Sequence, residues 1–227
     1  MTVERLGVLL RPEYDNEAKF NAGMVRQGDM VHMLYRYAHI ADRGDGKSLI
    51  YSRNCIHYAR LDVTGRLLED QKAVPAIEPV TPWEVGGCED PRIVEFEGAY
   101  YVFYSAFDGA ICRVGVAKTQ DFTTYERLGV IPTRQWDKDA FILPERVNGK
   151  VVYIHRIEPD IEIDFFDDIS DLFDEAYWEN YGNVVHDKVV LTGVEPWEAA
   201  KVGGSVPPIR TEKGWLLIYH GVGRDRS

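Results

Sequence analysis

Four times along the chain, a turn containing glycine opens onto an apolar run that ends in an aromatic or histidine and a polar residue. The runs are Gly28-Asp29-Met30-Val31-His32-Met33-Leu34-Tyr35-Arg36, Gly98 through Tyr104-Ser105, Gly149-Lys150-Val151-Val152-Tyr153-Ile154-His155-Arg156, and Gly214-Trp215-Leu216-Leu217-Ile218-Tyr219-His220. Ahead of each turn lies a shorter segment: Asn21 to Arg26, Asp90 to Phe96, Pro144-Glu145-Arg146-Val147 and Pro207-Pro208-Ile209-Arg210. β-Branched and aromatic runs of this length, punctuated by Gly and Pro, predict β-hairpins. Further strands are predicted over Ser52–Arg60 and Arg113–Lys118, the latter leading into a turn and outer strand at Asp121–Tyr125.

The turn glycines are 70, 51 and 65 residues apart. Hairpins with outer strands, repeated at such spacings, describe the blades of a β-propeller. The spacing is too uneven for a solenoid, whose units stack on equivalent neighbours; a β-sandwich with similar hairpins is the competing reading. The expectation is one all-β domain over residues 1–227. Only Gly221 to Ser227 follow the fourth hairpin, so the propeller reads as cut within or after its fourth blade, leaving open sheet edges.

One stretch has a different period. Between Asp168 and Tyr181, apolar residues fall at Ile169, Leu172, Phe173, Ala176 and Tyr177, the spacing of an amphipathic helix. Asp167 or Asp168 is its expected cap and Gly182 its end. Its acidic face is read as a solvated surface, since the aspartates lack the order of a calcium loop.

Charge changes the picture less than its total suggests. The net charge is −11, but residues 157–182 hold ten acids and no Lys or Arg. Outside them, 27 acids face 26 bases. There is no basic stripe for nucleic acid and no apolar run of membrane-spanning length. Met1 to Arg5 lead into no signal-peptide core. Cys55, Cys88 and Cys112 are odd in number and not spaced as Cys-x-x-Cys, which points to reduced thiols and a cytoplasmic protein.

The candidate chemistry lies between Gly86 and Asp108, where Glu89, Asp90 and Arg92 crowd together just ahead of the second hairpin. The residues closing the four inner strands, Arg36, Ser105, Arg156 and His220, are expected to converge near a propeller axis, with Lys201 brought in by Lys201-Val202-Gly203-Gly204. Two arginines, a histidine and a lysine in one funnel form an anion site; the alternative is that each pairs with a local carboxylate. Other chemistries lack their signatures. There is no Gly-x-Ser-x-Gly elbow, the six histidines show no metal-ligand spacing, and Gly44-Asp45-Gly46-Lys47-Ser48 is a polar turn without the first half of a P-loop.

These residues carry a family resemblance. The blocks Phe20-Asn21-Ala22-Gly23, Tyr35-Arg36, Glu89-Asp90-Pro91-Arg92, Tyr104 to Asp108, His155-Arg156, Lys201 to Ile209 and Trp215 to Val222 resemble, in order, glycoside hydrolase family 130, the β-mannoside phosphorylases. The resemblance implies a five-bladed propeller and inverting phosphorolysis of a β-mannoside to α-mannose 1-phosphate. It implies Asp90 as general acid, acting through a mannose hydroxyl, and Arg36, Arg156, Lys201 and His220 as the phosphate site. Asn21, Arg92 and Asp108 would lie near the sugar. Inorganic phosphate is then a co-substrate, with no cofactor and no metal, and a homo-oligomer is left open.

The residue types suit that chemistry. Inverting hydrolysis needs an acid and a base about 6.5–9.5 Å apart. Phosphate is already a nucleophile, so the site needs positive charge in place of a base. In hydrolytic branches of the family acids tend to replace these cations, and here the cations remain. An inverting β-mannosidase and a catalytically silent sugar-binding propeller are the alternatives. The departures from the family are the acidic insert and the missing C-terminal part of the propeller.

Overall fold

The computed structural model describes residues 7–42, 44 and 49–224. The readings at residues 1–5 and at 45–48 of the polar turn lie outside them. Three four-stranded antiparallel sheets follow one another along the chain. The first is β1 (Glu17–Gln27), β2 (Met30–Asp42), β3 (Leu49–Asp62) and β4 (Leu67–Gln71). The second is β5 (Gly87–Phe96), β6 (Ala99–Phe107), β7 (Cys112–Thr119) and β8 (Glu126–Val130). The third is β9 (Asp137–Ile142), β10 (Val151–Ile157), β11 (Ile161–Phe166) and β12 (Val189–Leu191). Beyond it, β13 (Lys201–Gly204) pairs with β16 (Tyr219–Val222), and β14 (Ile209–Thr211) with β15 (Gly214–Leu216).

The cores lie between consecutive sheets. Leu34, Ile56 and Tyr58 of the first sheet pack with Ile93, Tyr100, Val102 and Tyr104 of the second. Val94, Phe96, Phe103 and Val116 of the second pack with Ile142, Val151, Tyr153 and Phe166 of the third. Phe141, Val152 and Ile154 of the third pack with Val202, Trp215 and Tyr219. A sheet covered on both faces does not alternate apolar with polar, which is why Ala99 to Ala106 is one apolar run, buried throughout. The first strands of successive sheets touch: β1 meets β5, β5 meets β9, and β9 meets β13. Gly23 permits the first of these contacts, since a Cβ there would lie 2.5 Å from the Pro91 carbonyl oxygen.

Four expectations need correction. Asp121–Tyr125 forms only the turn, and the outer strand after it is β8. The first arm of the third hairpin is β9, not Pro144–Val147, which forms a turn closed by Val147 and Lys150. The strand was hidden because Asp137, Lys138 and Asp139 interrupt its apolar pattern. Trp215 to His220 is not one strand either. It splits at Leu217-Ile218, and its halves pair with different partners, β14 and β13.

The insert is not one amphipathic helix but a 3-10 turn (Ile169–Phe173), the short helix α1 (Glu175–Glu179) and two further 3-10 turns (Tyr181–Asn183, Val185–Asp187). Asp168 starts the first turn as expected. Its buried anchors are Leu172, Trp178 and Tyr181, two of them outside the helical pattern. Among the described residues no helix is long and apolar enough to cross a membrane.

Candidate active site

The first strands of the three sheets share a local device. Asn21, Asp90 and Asp139 have φ of 50°, 53° and 55°. Each lies at a register shift: Phe20/Gly23 in β1, Glu89/Arg92 in β5, and the shift opposite Ile154/Arg156 in β9. Asn and Asp are the non-glycine residues that best tolerate this left-handed backbone. A bulge re-aims the side chain at a strand that would otherwise alternate. All three side chains line one cavity of about 460 Å³.

Asp90 is nine-tenths buried at one wall of that cavity. Asn21 Nδ2 donates to its Oδ1 at 2.8 Å and Arg36 Nη1 at 3.1 Å, while Lys138 Nζ lies 3.3 Å from Oδ2. Glu89 shares both cations, with Arg36 Nη2 at 2.8 Å and Lys138 Nζ at 3.2 Å. Burial alone would raise the Asp90 pKa, but Lys138, Arg36, the Asn21 amide and Arg92 outweigh it and hold the carboxyl at about 2. Asn54 fixes the Arg36 guanidinium by accepting from Nε at 3.0 Å.

Asp139 is the second hub. Its Oδ1 accepts from Arg92 Nη2 at 2.8 Å, and its Oδ2 lies 3.2 Å from Arg156 Nη1 and 3.6 Å from His220 Nε2. Gly203 leaves the room for this, since a Cβ there would come within 2.5 Å of Asp139 Oδ2 and 2.8 Å of the His220 ring. Arg92 also donates to the Asp90 carbonyl at 2.8 Å and to the Gly204 carbonyl at 3.1 Å, tying β5 to β13. Lys201 and Arg156 share Glu158. Burial and the neighbouring Arg156, Arg92 and Lys201 charges lower the His220 pKa against the pull of Asp139.

Of the residues expected from the sequence, Asn21, Asp90, Arg92, Arg156, Lys201 and His220 line the cavity together. Arg36 stands behind Asp90 rather than on the cavity wall. Ser105 is buried away from it. Asp108 is not part of the lining. Its carboxylate accepts from the Ala110 and Ile111 amides and pairs with Arg113 at 2.8 Å, so it shapes the turn after β6.

Sequence reading missed Trp136, Lys138, Asp139 and Ser205, all on the wall. One signal was there: Asp139-Ala140 repeats Asn21-Ala22 and Asp90-Pro91, a small amide or acid before a small residue, once per sheet. The described residues hold no group of three or more His, Cys, Asp or Glu arranged for a metal ion.

The cavity thus carries two carboxylates, Asp90, held ionised by Lys138 and Arg36, and Asp139, paired with Arg92 and Arg156, with Lys201 and His220 on the same wall. Such an arrangement suits a small oxyanion beside a polar, hydroxyl-rich ligand, with Trp136 offering an aromatic face at the rim.

Comparison with known proteins agrees. The sequence profile of the glycoside hydrolase 130 family, described as beta-1,4-mannooligosaccharide phosphorylase, matches residues 8–227. The 1,2-beta-oligomannan phosphorylase of Thermoanaerobacter sp. (strain X514) is 33% identical over 225 residues, covering 93% of this chain and 68% of the relative. The beta-1,4-mannooligosaccharide phosphorylase of Ruminococcus albus is 29% identical over 212 residues, covering 92% of this chain and 56% of the relative.

The solved structure of the beta-1,2-mannobiose phosphorylase from Listeria innocua, in complex with beta-1,2-mannobiose, superposes with a TM-score of 0.73 at 23% identity. It covers 95% of this chain and 72% of that one, a likeness of fold. With a profile matched along nearly the whole length and a relative one-third identical, this chain belongs to glycoside hydrolase family 130.

Proposed function

We propose that this chain carries the catalytic domain, over residues 1–227, of an inverting β-mannoside phosphorylase built on a five-bladed propeller. It transfers a mannosyl group from a β-mannoside to inorganic phosphate, yielding α-mannose 1-phosphate. One observation carries the reading: Asp90, the cations Lys138, Arg156 and Lys201, and the His220 imidazole line the same cavity. Phosphate, held by those cations, attacks the anomeric carbon while Asp90 supplies the proton to the leaving oxygen, through a mannose hydroxyl. Both oxygens of the other lining carboxylate, Asp139, are engaged by arginines, which makes it a poor base for activating water. This favours phosphate over the hydrolytic reading.

A carboxyl held at about 2 is not an acid at neutral pH. Lys138 lines the same cavity 3.3 Å from Asp90 Oδ2, so a bound phosphate dianion competes for its charge and lets Asp90 take up a proton. The relatives' names support the substrate class: phosphorylases of oligomannan and mannooligosaccharide. The free cysteines Cys55, Cys88 and Cys112 support a reducing, cytoplasmic setting. The test is a product assay on β-1,2- and β-1,4-mannobiose with and without phosphate. Mannose 1-phosphate formed only with phosphate is the expected result. Equal release of free mannose without phosphate would make the protein a hydrolase, and sugar binding without turnover a lectin-like propeller.

A further inference from the structure

The third sheet has a second polar cluster, on the face turned away from the cavity. His155 is fully buried next to Arg156, and Asp137, also fully buried, is next to Lys138. His155 Nδ1 lies 3.1 Å from Asp137 Oδ1, and Nε2 lies 3.1 Å from both Asp164 Oδ2 and the Tyr181 hydroxyl. Asp164 completes the set: it accepts from Tyr181 at 2.6 Å and from Tyr177, and pairs with Lys188 at 3.1 Å. Carboxylates only accept, so a ring with one on each side donates from both nitrogens and is an imidazolium.

The place of this bridge is informative. Lys138 and Arg156 are cross-strand partners on the cavity side, each held by carboxylates of other strands and turns: Lys138 by Glu89 and Asp90, Arg156 by Asp139 and Glu158. Just beside them the ladder is broken. Between the pairs Ile154↔Phe141 and Arg156↔Lys138, β10 has one residue, His155, where β9 has two, Asp139 and Ala140. The Asp137–His155–Asp164 bridge spans that break from behind and continues through Tyr177 and Tyr181 into the helical insert.

We propose that His155, bound between Asp137 and Asp164, is a positioning residue that holds Lys138 and Arg156 at the spacing an oxyanion needs, with the insert as its outer anchor. This rests on the phosphorylase reading. It gives the insert a role in nucleophile affinity without contact with either substrate.

The test compares His155→Gln and Tyr181→Phe with the wild-type protein, by steady-state kinetics on a β-mannobiose with inorganic phosphate and by calorimetric binding of inorganic phosphate. His155→Gln is expected to raise the Michaelis constant for phosphate by about tenfold, the scale of a sub-ångström loss of alignment. The constant for the mannoside should move by less than about twofold. Tyr181→Phe, which keeps the volume and removes one donor to Asp164, should show the same split at about threefold. It also keeps the inference testable if His155→Gln does not fold.

Two results overturn the inference. One is both Michaelis constants moving together with the melting temperature, which is a merely structural role. The other is phosphate affinity unchanged in the folded variants. Wild-type turnover that ignores phosphate would instead overturn the function reading.

Discussion

Beside the cavity the second and third sheets carry a matched pair of residues, Glu89-Asp90 in β5 and Lys138-Asp139 in β9, the second of each pair at a left-handed bulge and all but Glu89 on the cavity wall. The backbone device is the same and the charge differs. Sheet two presents two acids, and sheet three a base and an acid backed by Arg156 from the neighbouring strand. The pairs interlock, with Lys138 crossing to Asp90 and Glu89, and Arg92 crossing to Asp139. Position therefore comes from the repeated bulge and role from residue type. Under the proposed function, a repeat that aims one side chain per sheet at a common point would let one sheet specialise as proton donor and the next as anion holder.

The comparison is tested most severely on the acidic side. Asp90→Asn keeps the shape and the Asn21 contact but removes the proposed proton donor. Turnover should fall by about 10² or more, with mannoside binding by calorimetry largely kept. Near-normal turnover would move the acid to Glu89, the other carboxylate on the same cations.

The cationic side should respond differently. Lys201→Ala is expected to raise the phosphate Michaelis constant roughly ten- to a hundredfold, the worth of one charge-assisted contact, and the mannoside constant far less. Arg156→Lys should act in the same sense because the planar fork on Asp139 and the anion is lost. If both variants instead weaken sugar and phosphate equally, the division of labour between the two sheets fails.

A smaller effect sharpens the contrast between the two faces of the third sheet. Burial would lower the His155 pKa, but the charge of Asp137 and the bonds to Asp137 and Asp164 outweigh it and push the pKa from 6.5 up to about 10. A folded-state value above the unfolded one gives stability that is complete below pH 6.5 and lost as pH rises through about 10. Glu162, raised by burial from 4.5 to about 8, acts in the same direction at lower pH. The melting temperature should therefore fall as pH rises from neutral to about 10, and fall less steeply in His155→Gln. Parallel curves would mean that the buried face carries no charge. The smallest effect is expected at Asp108. As a turn residue outside the cavity, Asp108→Asn should change both Michaelis constants by less than about twofold; a large rise for the mannoside alone would return it to the site.

The sequence by itself determined the first two hairpins and the turn glycines of all four, because turn glycines and strand propensity act over a few residues. It determined Asp90 and most of the cations too, through motif blocks that are local in the chain. It misplaced what depends on distant partners. Asp108 is a separate case: its oxygens are taken by near neighbours, Arg113 and the turn amides, and not by the cavity. β9 was invisible because its cavity-facing residues are charged, and charges are buried only where other strands bring counter-charges. Asn21 reaches Asp90 across 69 residues, and Arg92 reaches the Gly204 carbonyl across 112. Only tertiary structure decided that Lys138 belongs to Asp90, that Asp139 gathers Arg92, Arg156 and His220, and that His155 is clasped from behind. An ion pair has no signature along the chain, since its energy depends on distance and burial in space, which the packing of successive sheets sets.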